Sequence, residues 1–207
     1  MKKIYSQNGE VNPKPKLLVD MDGVLVDLLP SWIERIKGRN PGMDHVQVSD
    51  INQWSVHKSM QLPPEKVYPL LEEMTILDWL ALPTVPLSLE AWKFLQPLYD
   101  LQICTSPITG KGAWSSKEGK KMWVLKHLGA EAAERMIFSH EKHNVDAWGI
   151  IDDRPDTLAA CAAAGMHTFR LAHPYNECVQ EEHNGGDWTQ VLGQLLFLHG
   201  VYPEIFQ

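Results

Sequence analysis

The sequence predicts an α/β protein with a doubly wound, Rossmann-like parallel sheet and a small helical cap inserted after the first strand. Three features of the 207-residue chain support this fold: short apolar runs that end abruptly in polar residues, helical stretches between the later runs, and one long segment that breaks the rhythm. Short continuous apolar runs are typical of strands buried on both faces of a parallel sheet. Their alternation with helices indicates a doubly wound arrangement.

The apolar runs predict five strands, at 16–19, 101–104, 136–138, 148–151 and 166–169. Apolar spacing and alanine content predict helices at 117–128, 156–164 and 187–199. Pro155 and Gly165 bracket the second of these helices, because proline suits a first helical turn and glycine readily ends a helix.

The segment 29–95 is too long for an ordinary connection between two elements. Its prolines, tryptophans and amphipathic pieces, such as 65–71, predict a mainly helical cap over the carboxyl edge of the sheet. Residues 1–28 and 96–207 would then form the α/β core. Trp54, in a polar stretch of the cap, is predicted to contact a ligand. The tryptophans that lie among leucines at helical spacing are predicted to be core residues, namely Trp32, Trp79, Trp92 and Trp123.

Composition excludes several classes of protein. An apolar fraction of 44% and a charged fraction of 22% exclude a mostly disordered chain. The formal charge of −7 argues against a duplex nucleic-acid binder, which usually carries a basic stripe. We expect no membrane association, since no apolar run approaches the ~20 residues of a membrane span. The N-terminus lacks the apolar middle of a signal peptide and the three cysteines are scattered, so we expect a cytoplasmic protein.

Polar side chains follow four of the predicted strands at the edge where open α/β sheets bind ligands. These residues are Asp20, Asp22, Gly23, Thr105, Ser106, Lys142, Asp152 and Asp153. Seen alone, each is at least as typical of a turn, a helix cap or a solvated side chain. Four groups of the required types, in order and each after an apolar run, favour a functional site.

These side chains have complementary chemical properties. Converging carboxylates need a counter-ion, and hard oxygen ligands suit Mg²⁺. One carboxylate can attack phosphorus to form an aspartyl-phosphate, while a second can protonate the leaving oxygen and then activate water. A hydroxyl and an ammonium group can hold the non-bridging phosphate oxygens. The strand ends therefore supply every group that phosphoryl transfer needs.

Four stretches carry a resemblance to a known family. Leu-Leu-Val-Asp20-Met-Asp22-Gly23-Val-Leu-Val-Asp27 resembles the first signature of the haloacid dehalogenase-like (HAD) phosphohydrolases. Ile103-Cys-Thr-Ser-Pro, Lys142 and Ile150-Ile-Asp-Asp-Arg-Pro-Asp resemble the second, third and fourth. Together with Trp123-Val-Leu-Lys-His-Leu-Gly, they are similar to the 5'(3')-deoxyribonucleotidase group.

The resemblance implies a Mg²⁺-dependent phosphomonoesterase acting on nucleoside monophosphates, with Asp20 as nucleophile and Asp22 as general acid/base. It implies Mg²⁺ bound by the carboxylates of Asp20 and Asp153 and by the backbone carbonyl of Asp22. Asp152 would orient a metal-bound water. The residues implied to hold the phosphate, with the glycine allowing a close backbone approach, are Gly23, Thr105, Ser106 and Lys142.

The resemblance leaves two points less well determined: the substrate specificity and the role of one further lysine. Leu28 and Leu70 occupy positions at which the deoxyribonucleotidases are expected to carry base-gripping aromatics, whereas Trp54 matches an aromatic cap position. Lys120 could bind the phosphate, but a solvated helix face is the favoured interpretation for it.

Three alternatives stay open. The substrate could be another small phosphorylated metabolite, or the chain could be a non-catalytic binding protein on the same fold. A receiver-type signalling domain also gathers acids, a hydroxyl and a lysine around a phospho-aspartate, although receivers are compact and lack a long insertion. The base, the sugar, the position of the phosphate and the oligomeric state are left open, with a homodimer as one alternative.

Overall fold

The computed structural model describes residues 13–176 and 184–198 of the chain. Their strands form one parallel sheet in the order β3-β2-β1-β4-β5-β6. The strands are β1 Lys16–Val19, β2 Asp100–Thr105, β3 Ile137–Phe138, β4 Gly149–Asp152, β5 His167–Leu171 and β6 Asn184–Gly186. The predicted doubly wound parallel sheet is therefore confirmed. β6 is an addition to the five predicted strands, because its Asn-Gly-Gly sequence contains no apolar run.

Helices connect these strands and cover both faces of the sheet. They are α1 Leu28–Arg39, α2 Val56–Ser59, α3 Pro69–Glu72, α4 Ile76–Leu80, α5 Ser88–Leu95, α6 Ala113–Leu128, α7 Ala130–Glu134, α8 Pro155–Ala163 and α9 Trp188–Leu198. Among the described residues, no helix is both long and apolar enough to cross a membrane.

The side chains of β1 alternate between two hydrophobic clusters, as expected for a strand covered on both faces. Leu17 and Val19 join a large cluster that includes residues of α5, α6 and α9. Leu18 points to the opposite face and joins a smaller cluster with Ile150 of β4 and Leu158 of α8. The strand is thus buried on both sides, and its polar successor Asp20 lies at the sheet edge.

The connection between β1 and β2 contributes to two separate cores. Its first part has a hydrophobic cluster of its own, which includes Trp32, Ile36 and Leu70. Its later part packs with the sheet, since Trp79 and Trp92 belong to the large cluster. The assignment of 29–95 to a cap stays a prediction, while the predicted burial of Trp32, Trp79, Trp92 and Trp123 is confirmed, with at most 8% of each exposed.

Three helical predictions differ from the structure. The segment 65–71 is divided between a 3-10 turn, Pro64–Lys66, and α3. α6 begins at Ala113, four residues before its predicted start. α9 buries Trp188, Val191 and Leu195 as expected, but Leu198 is 42% exposed and its predicted packing is wrong. The last predicted residue of that helix, 199, lies outside the described residues.

The contact between α4 and α6 generates a stability prediction, because a Cβ on Gly119 would overlap the Cβ of Trp79. We expect Gly119→Ala to lower the free energy of unfolding by about 1–3 kcal/mol through overpacking. Gly38→Ala is the matched control, since Gly38 is exposed in α1 and a Cβ added there would meet nothing within 4 Å. Alanine is a better helix former than glycine, so the control should gain up to about 1 kcal/mol. Urea denaturation measures both, and equal stability of the two variants would contradict the close packing.

Candidate active site

The carboxyl end of β1 leads into a tight turn that brings two aspartates to the sheet edge. Asp20 follows β1 directly, and its N–H donates to a carbonyl of β4 at 2.9 Å, so the strand pairing continues by one residue. The buried Met21 anchors the turn, and its carbonyl accepts the N–H of Val26 at 2.9 Å. Gly23 has a φ of +76°, which glycine adopts at little cost. The turn therefore holds Asp20 and Asp22 near the same cavity.

Gly23 is also required by the side chains around it. A Cβ at this position would overlap Asp153 Oδ2 and lie 2.8 Å from the hydroxyl oxygen of Tyr175. Gly23 lines the cavity together with Asp20 and Asp22. Any larger residue would displace the carboxylate of Asp153 as well as strain the turn.

Three carboxyl groups meet at the ends of β1 and β4. Asp20, Asp152 and Asp153 are buried, and each offers an oxygen within 4.8 Å of the others. Burial, together with the charges of Asp152 and Asp20, raises the pKa of Asp153 well above its ordinary value. Asp153 Oδ1 is buried without a hydrogen-bond partner. An oxygen-only donor set with an unpartnered buried oxygen fits a hard divalent cation.

Lys142 pairs with the acidic cluster from the 3-10 turn Lys142–Asn144, which follows β3. Its Nζ lies 2.7 Å from Asp20 Oδ1 and 2.7 Å from Asp152 Oδ2. Burial of the ammonium group opposes its charge, but Asp152 and Asp20 together raise the pKa of Lys142 above its ordinary value. The other oxygen of Asp152 accepts the N–H of Arg154 at 2.9 Å. Asp152 therefore uses both oxygens to hold its neighbours.

The two hydroxyl residues at the end of β2 face different surroundings. Ser106 lines the cavity with Asp20 and donates to the carbonyl of Ser139 at 3.4 Å. Thr105 is fully buried, and its Oγ1 accepts a hydrogen bond from Lys120 Nζ at 3.0 Å. Ser106 thus shares the cavity with the candidate nucleophile, whereas Thr105 contacts a lysine.

Lys120 is a functional candidate to which sequence reasoning gave too little weight. The prediction of a solvated face is wrong for this residue, because it is fully buried in α6. Its Nζ donates to Asp22 Oδ2 at 2.5 Å and to the carbonyl of Ser106 at 3.1 Å, in addition to Thr105. Burial raises the pKa of Asp22, and the charge of Lys120 partly offsets this. Lys120 therefore holds the carboxylate of Asp22 in place and opposes the rise in its pKa that burial causes.

A helical pattern around Lys120 could have indicated its burial. Ser116, Gly119 and Trp123 are buried and lie on the same side of α6 at spacings of three and four residues. Small residues on a buried helix face leave room for a long lysine stem. The sequence interpretation missed the burial of Lys120 because it assigned all the lysines of α6 to one solvated face.

The charges at the site do not balance among its own residues. If all are ionised, the four carboxylates are countered by two ammonium groups, which leaves two negative charges; the residues are Asp20, Asp22, Asp152, Asp153, Lys120 and Lys142. Uncompensated charge is costly in a buried setting. A divalent cation at the acidic cluster would restore the balance.

A cavity of about 560 Å³ extends from the acids into the β1–β2 connection. One end is lined by the aspartates, Ser106 and Lys142, and the other by apolar and aromatic side chains that include Leu28, Trp32 and Tyr68. Trp54 also lines this cavity and is 42% exposed. Its ring lies edge-on to Tyr175 with centroids 5.6 Å apart. The cavity can thus accept a molecule with one anionic end and one apolar end.

Comparison with known proteins identifies the family. The family described as "5' nucleotidase, deoxy (Pyrimidine), cytosolic type C protein" matches residues 14–199. The chain belongs to this family. It is 32% identical to the mouse mitochondrial 5'(3')-deoxyribonucleotidase over 70% of this chain and 67% of that protein. It is 32% identical to the human cytosolic 5'(3')-deoxyribonucleotidase over 69% of this chain and 72% of that protein.

A solved structure supports the wider fold assignment. A HAD family hydrolase from Deinococcus radiodurans superposes with a TM-score of 0.56 at 16% identity, covering 91% of this chain and 97% of that one. The predicted deoxyribonucleotidase group is therefore confirmed by the family match and the relatives, and the solved structure shows the predicted HAD-like fold. The protein is a phosphoric monoester hydrolase.

The contacts of Lys120 predict an effect on phosphatase activity. We expect Lys120→Met to lower kcat for p-nitrophenyl phosphate by about 10- to 100-fold, because Asp22, the expected general acid/base, loses the ammonium group that holds it. Lys121→Met is the matched control, since Lys121 is the next residue of α6 and is exposed. Steady-state kinetics at saturating Mg²⁺ measure both. Wild-type turnover by Lys120→Met would show that Asp22 is held without it.

Proposed function

We propose that this protein is a Mg²⁺-dependent 5'(3')-nucleotidase that dephosphorylates nucleoside monophosphates through a phospho-Asp20 intermediate. The observation that carries the proposal is the cluster of Asp20, Asp152 and Asp153 at one end of a cavity whose other end is apolar. The deoxyribonucleotidase names of its relatives support the substrate class. We also propose a cytoplasmic location, supported by the free, buried thiols of Cys104 and Cys161.

The proposed Mg²⁺ site consists of the carboxylates of Asp20 and Asp153 and the backbone carbonyl of Asp22. Asp153 Oδ1 is the clearest candidate ligand, because it is buried and has no hydrogen-bond partner. Asp152 holds Lys142 and the backbone of Arg154, so we assign it an orienting role. When bound, Mg²⁺ would neutralise charge on the cluster and on the phosphate oxygens.

In the first proposed step, a carboxylate oxygen of Asp20 attacks phosphorus. The new Asp20–phosphorus bond forms as the bond to the ester oxygen breaks, and Asp22 transfers its proton to that leaving oxygen. Asp22 suits this role because burial raises its pKa above that of an ordinary aspartate. Its Oδ1 is buried without a hydrogen-bond partner, while Oδ2 accepts from Lys120. One oxygen is thus held and the other is free to exchange a proton.

In the second step, Asp22 removes a proton from a water molecule, and the water oxygen attacks phosphorus. The Asp20–phosphorus bond breaks and inorganic phosphate is released, which returns Asp20 to a carboxylate and Asp22 to its protonated form. Lys142, 2.7 Å from Asp20 Oδ1, would stabilise the charge that develops around the transferred group. Ser106 and Gly23 line the same part of the cavity and would hold phosphate oxygens. Thr105 contacts Lys120, so we assign it an indirect role.

The apolar end of the cavity supports a nucleoside rather than a small polar ester. Trp54 lines the cavity as well, next to Tyr175, and Arg154 lies 5.5 Å from its ring centroid. A planar base can stack on an aromatic ring with about 1–3 kcal/mol of stabilisation. A phosphatase for another small metabolite is the second candidate, and a substrate panel separates the two.

The nucleophile assignment predicts that Asp20→Asn lowers nucleotide hydrolysis to less than about one-thousandth of wild type, because the amide cannot attack phosphorus. Asp44→Asn, at an exposed position, is the matched control and should retain activity. Phosphate release from a panel of nucleoside monophosphates, with Mg²⁺ or with EDTA, gives the measurement. Full activity of Asp20→Asn, or in EDTA, would exclude the proposed mechanism. Stable phosphorylation without turnover would instead support a receiver-type domain.

The place of Trp54 predicts a substrate-dependent effect on KM. We expect Trp54→Ala to raise KM for a nucleoside monophosphate about tenfold, because the base loses a stacking surface worth about 1.4 kcal/mol. The KM for glycerol phosphate should change little, since that ester has no ring. Trp114→Ala is the matched control, because Trp114 is 68% exposed and does not line the cavity. An equal change of KM for both substrates would contradict a base-stacking role.

A further inference from the structure

The segment after β5 contacts both halves of the candidate site. It contains the 3-10 turn Pro174–Asn176. The hydroxyl of Tyr175 donates to Asp153 Oδ2 at 2.5 Å, and Asn176 Nδ2 donates to the carbonyl of Asp153 at 2.7 Å. One residue earlier than the turn, His173 Nε2 lies 2.6 Å from the carbonyl oxygen of Gly23. This segment therefore reaches the β1 turn and the fourth motif at once.

Hydrogen bonds within the segment fix its own shape. Asn176 is fully buried, and its Oδ1 accepts the N–H of His173 at 2.8 Å and a hydrogen bond from Arg170 at 3.0 Å. Asn176 Nδ2 also donates to the carbonyl of Leu171, the last residue of β5, at 2.9 Å. Because a buried amide with this many partners is held firmly, the position of Tyr175 is tied to the sheet.

The ring of Tyr175 is held by two further aromatic contacts. It is stacked on His173, with the centroids 4.8 Å apart and the planes 7° apart. Trp54 meets the Tyr175 ring edge-on, with the centroids 5.6 Å apart. A ring constrained in this way presents its hydroxyl in one direction, towards Asp153 Oδ2.

The hydrogen bond from Tyr175 leaves the two carboxylate oxygens of Asp153 in different situations. Oδ2 accepts from Tyr175, whereas Oδ1 is buried without a hydrogen-bond partner. Without the hydroxyl, the carboxyl group could rotate about its terminal torsion, which is a broad and roughly two-fold one. Gly23 makes the arrangement possible, since a Cβ there would overlap Asp153 Oδ2.

We propose that Tyr175 is a positioning residue that holds the carboxylate of Asp153 so that Oδ1 is presented to Mg²⁺. The proposal rests on the proposed function, which assigns Asp153 to the metal. Tyr175 touches neither the metal nor the phosphate in this arrangement and acts through Asp153. Hydrogen-bond partners that orient metal ligands typically contribute 10- to 100-fold to metal affinity.

The test compares Mg²⁺ binding by the full chain, measured by isothermal titration calorimetry without substrate. We expect Tyr175→Phe to weaken Mg²⁺ binding about 10- to 100-fold, because the variant keeps the ring contacts and loses only the hydroxyl. The matched control is Tyr99→Phe, which removes the hydroxyl of a buried tyrosine that donates to the carbonyl of Leu195 at 2.9 Å. Its Mg²⁺ affinity should stay within twofold of wild type. In Tyr175→Phe the Mg²⁺ concentration for half-maximal activity should rise equally, with kcat at saturating Mg²⁺ changed less than threefold.

Asp153→Asn separates failure of this proposal from failure of the proposed function. If Asp153→Asn loses Mg²⁺ binding while Tyr175→Phe binds like wild type, Tyr175 does not position the ligand, and the proposed function stands. If wild-type protein binds no Mg²⁺ and hydrolyses nucleotides equally in EDTA, the proposed function itself is wrong, and the role of Tyr175 falls with it. A loss of kcat in Tyr175→Phe at saturating Mg²⁺, with unchanged affinity, would also overturn the positioning role.

Discussion

The balance of buried charge at the ends of β1 and β4 is the constraint on which the rest of the site depends. Carboxyl groups from two neighbouring strands are brought within 4.8 Å of one another, in surroundings where unpaired charge is costly. Parallel pairing of β1 with β4 makes this unavoidable, because both strands end at the same edge. The surrounding elements each supply a partner for a carboxyl group of the site: the turn after β3 supplies the ammonium group of Lys142 and α6 that of Lys120, while the segment after β5 supplies a neutral hydrogen-bond donor, the hydroxyl of Tyr175.

The two buried lysines divide the site into parts with different chemistry. Lys142 contacts Asp20 and Asp152, whose negative charge suits the proposed nucleophile, Asp20, and the proposed cation. Lys120 contacts only Asp22 among the four aspartates, and it reaches Asp22 from α6. A group that must gain and lose a proton needs its own partner, separate from the group that must stay ionised. Under the proposed mechanism, this separation accounts for the presence of two buried ammonium groups at one site.

The features that were predictable from sequence depend on contacts close along the chain. The apolar runs mark β1 to β5, and the residues that follow them are delivered to the sheet edge by strand direction alone, as for Asp20 and Asp152. Lys120 is different, because its burial depends on which side of α6 faces α4 and the sheet. β6 pairs with β5, but its Asn-Gly-Gly sequence has no apolar side chains, so no apolar run indicates a strand there. The proposed role of Tyr175 could not be predicted from local sequence either, because it depends on a hydrogen bond to Asp153, which lies 22 residues earlier in the chain.

The cavity requires a different account of substrate recognition from the one that motif positions suggest. Leu70, at a position expected to be aromatic, is buried in the hydrophobic cluster with Trp32 and does not line the cavity. Leu28 does line it. Besides Trp54 at its expected cap position, rings reach the cavity from other positions, with Tyr68 from the β1–β2 connection and Tyr175 from the segment after β5. An aromatic surface can therefore be assembled from residues at unrelated sequence positions, provided that they converge in space. The proposed catalytic groups cannot come from arbitrary sequence positions, because each must directly follow a particular strand. The sequence therefore predicts the type of reaction more closely than it predicts the substrate.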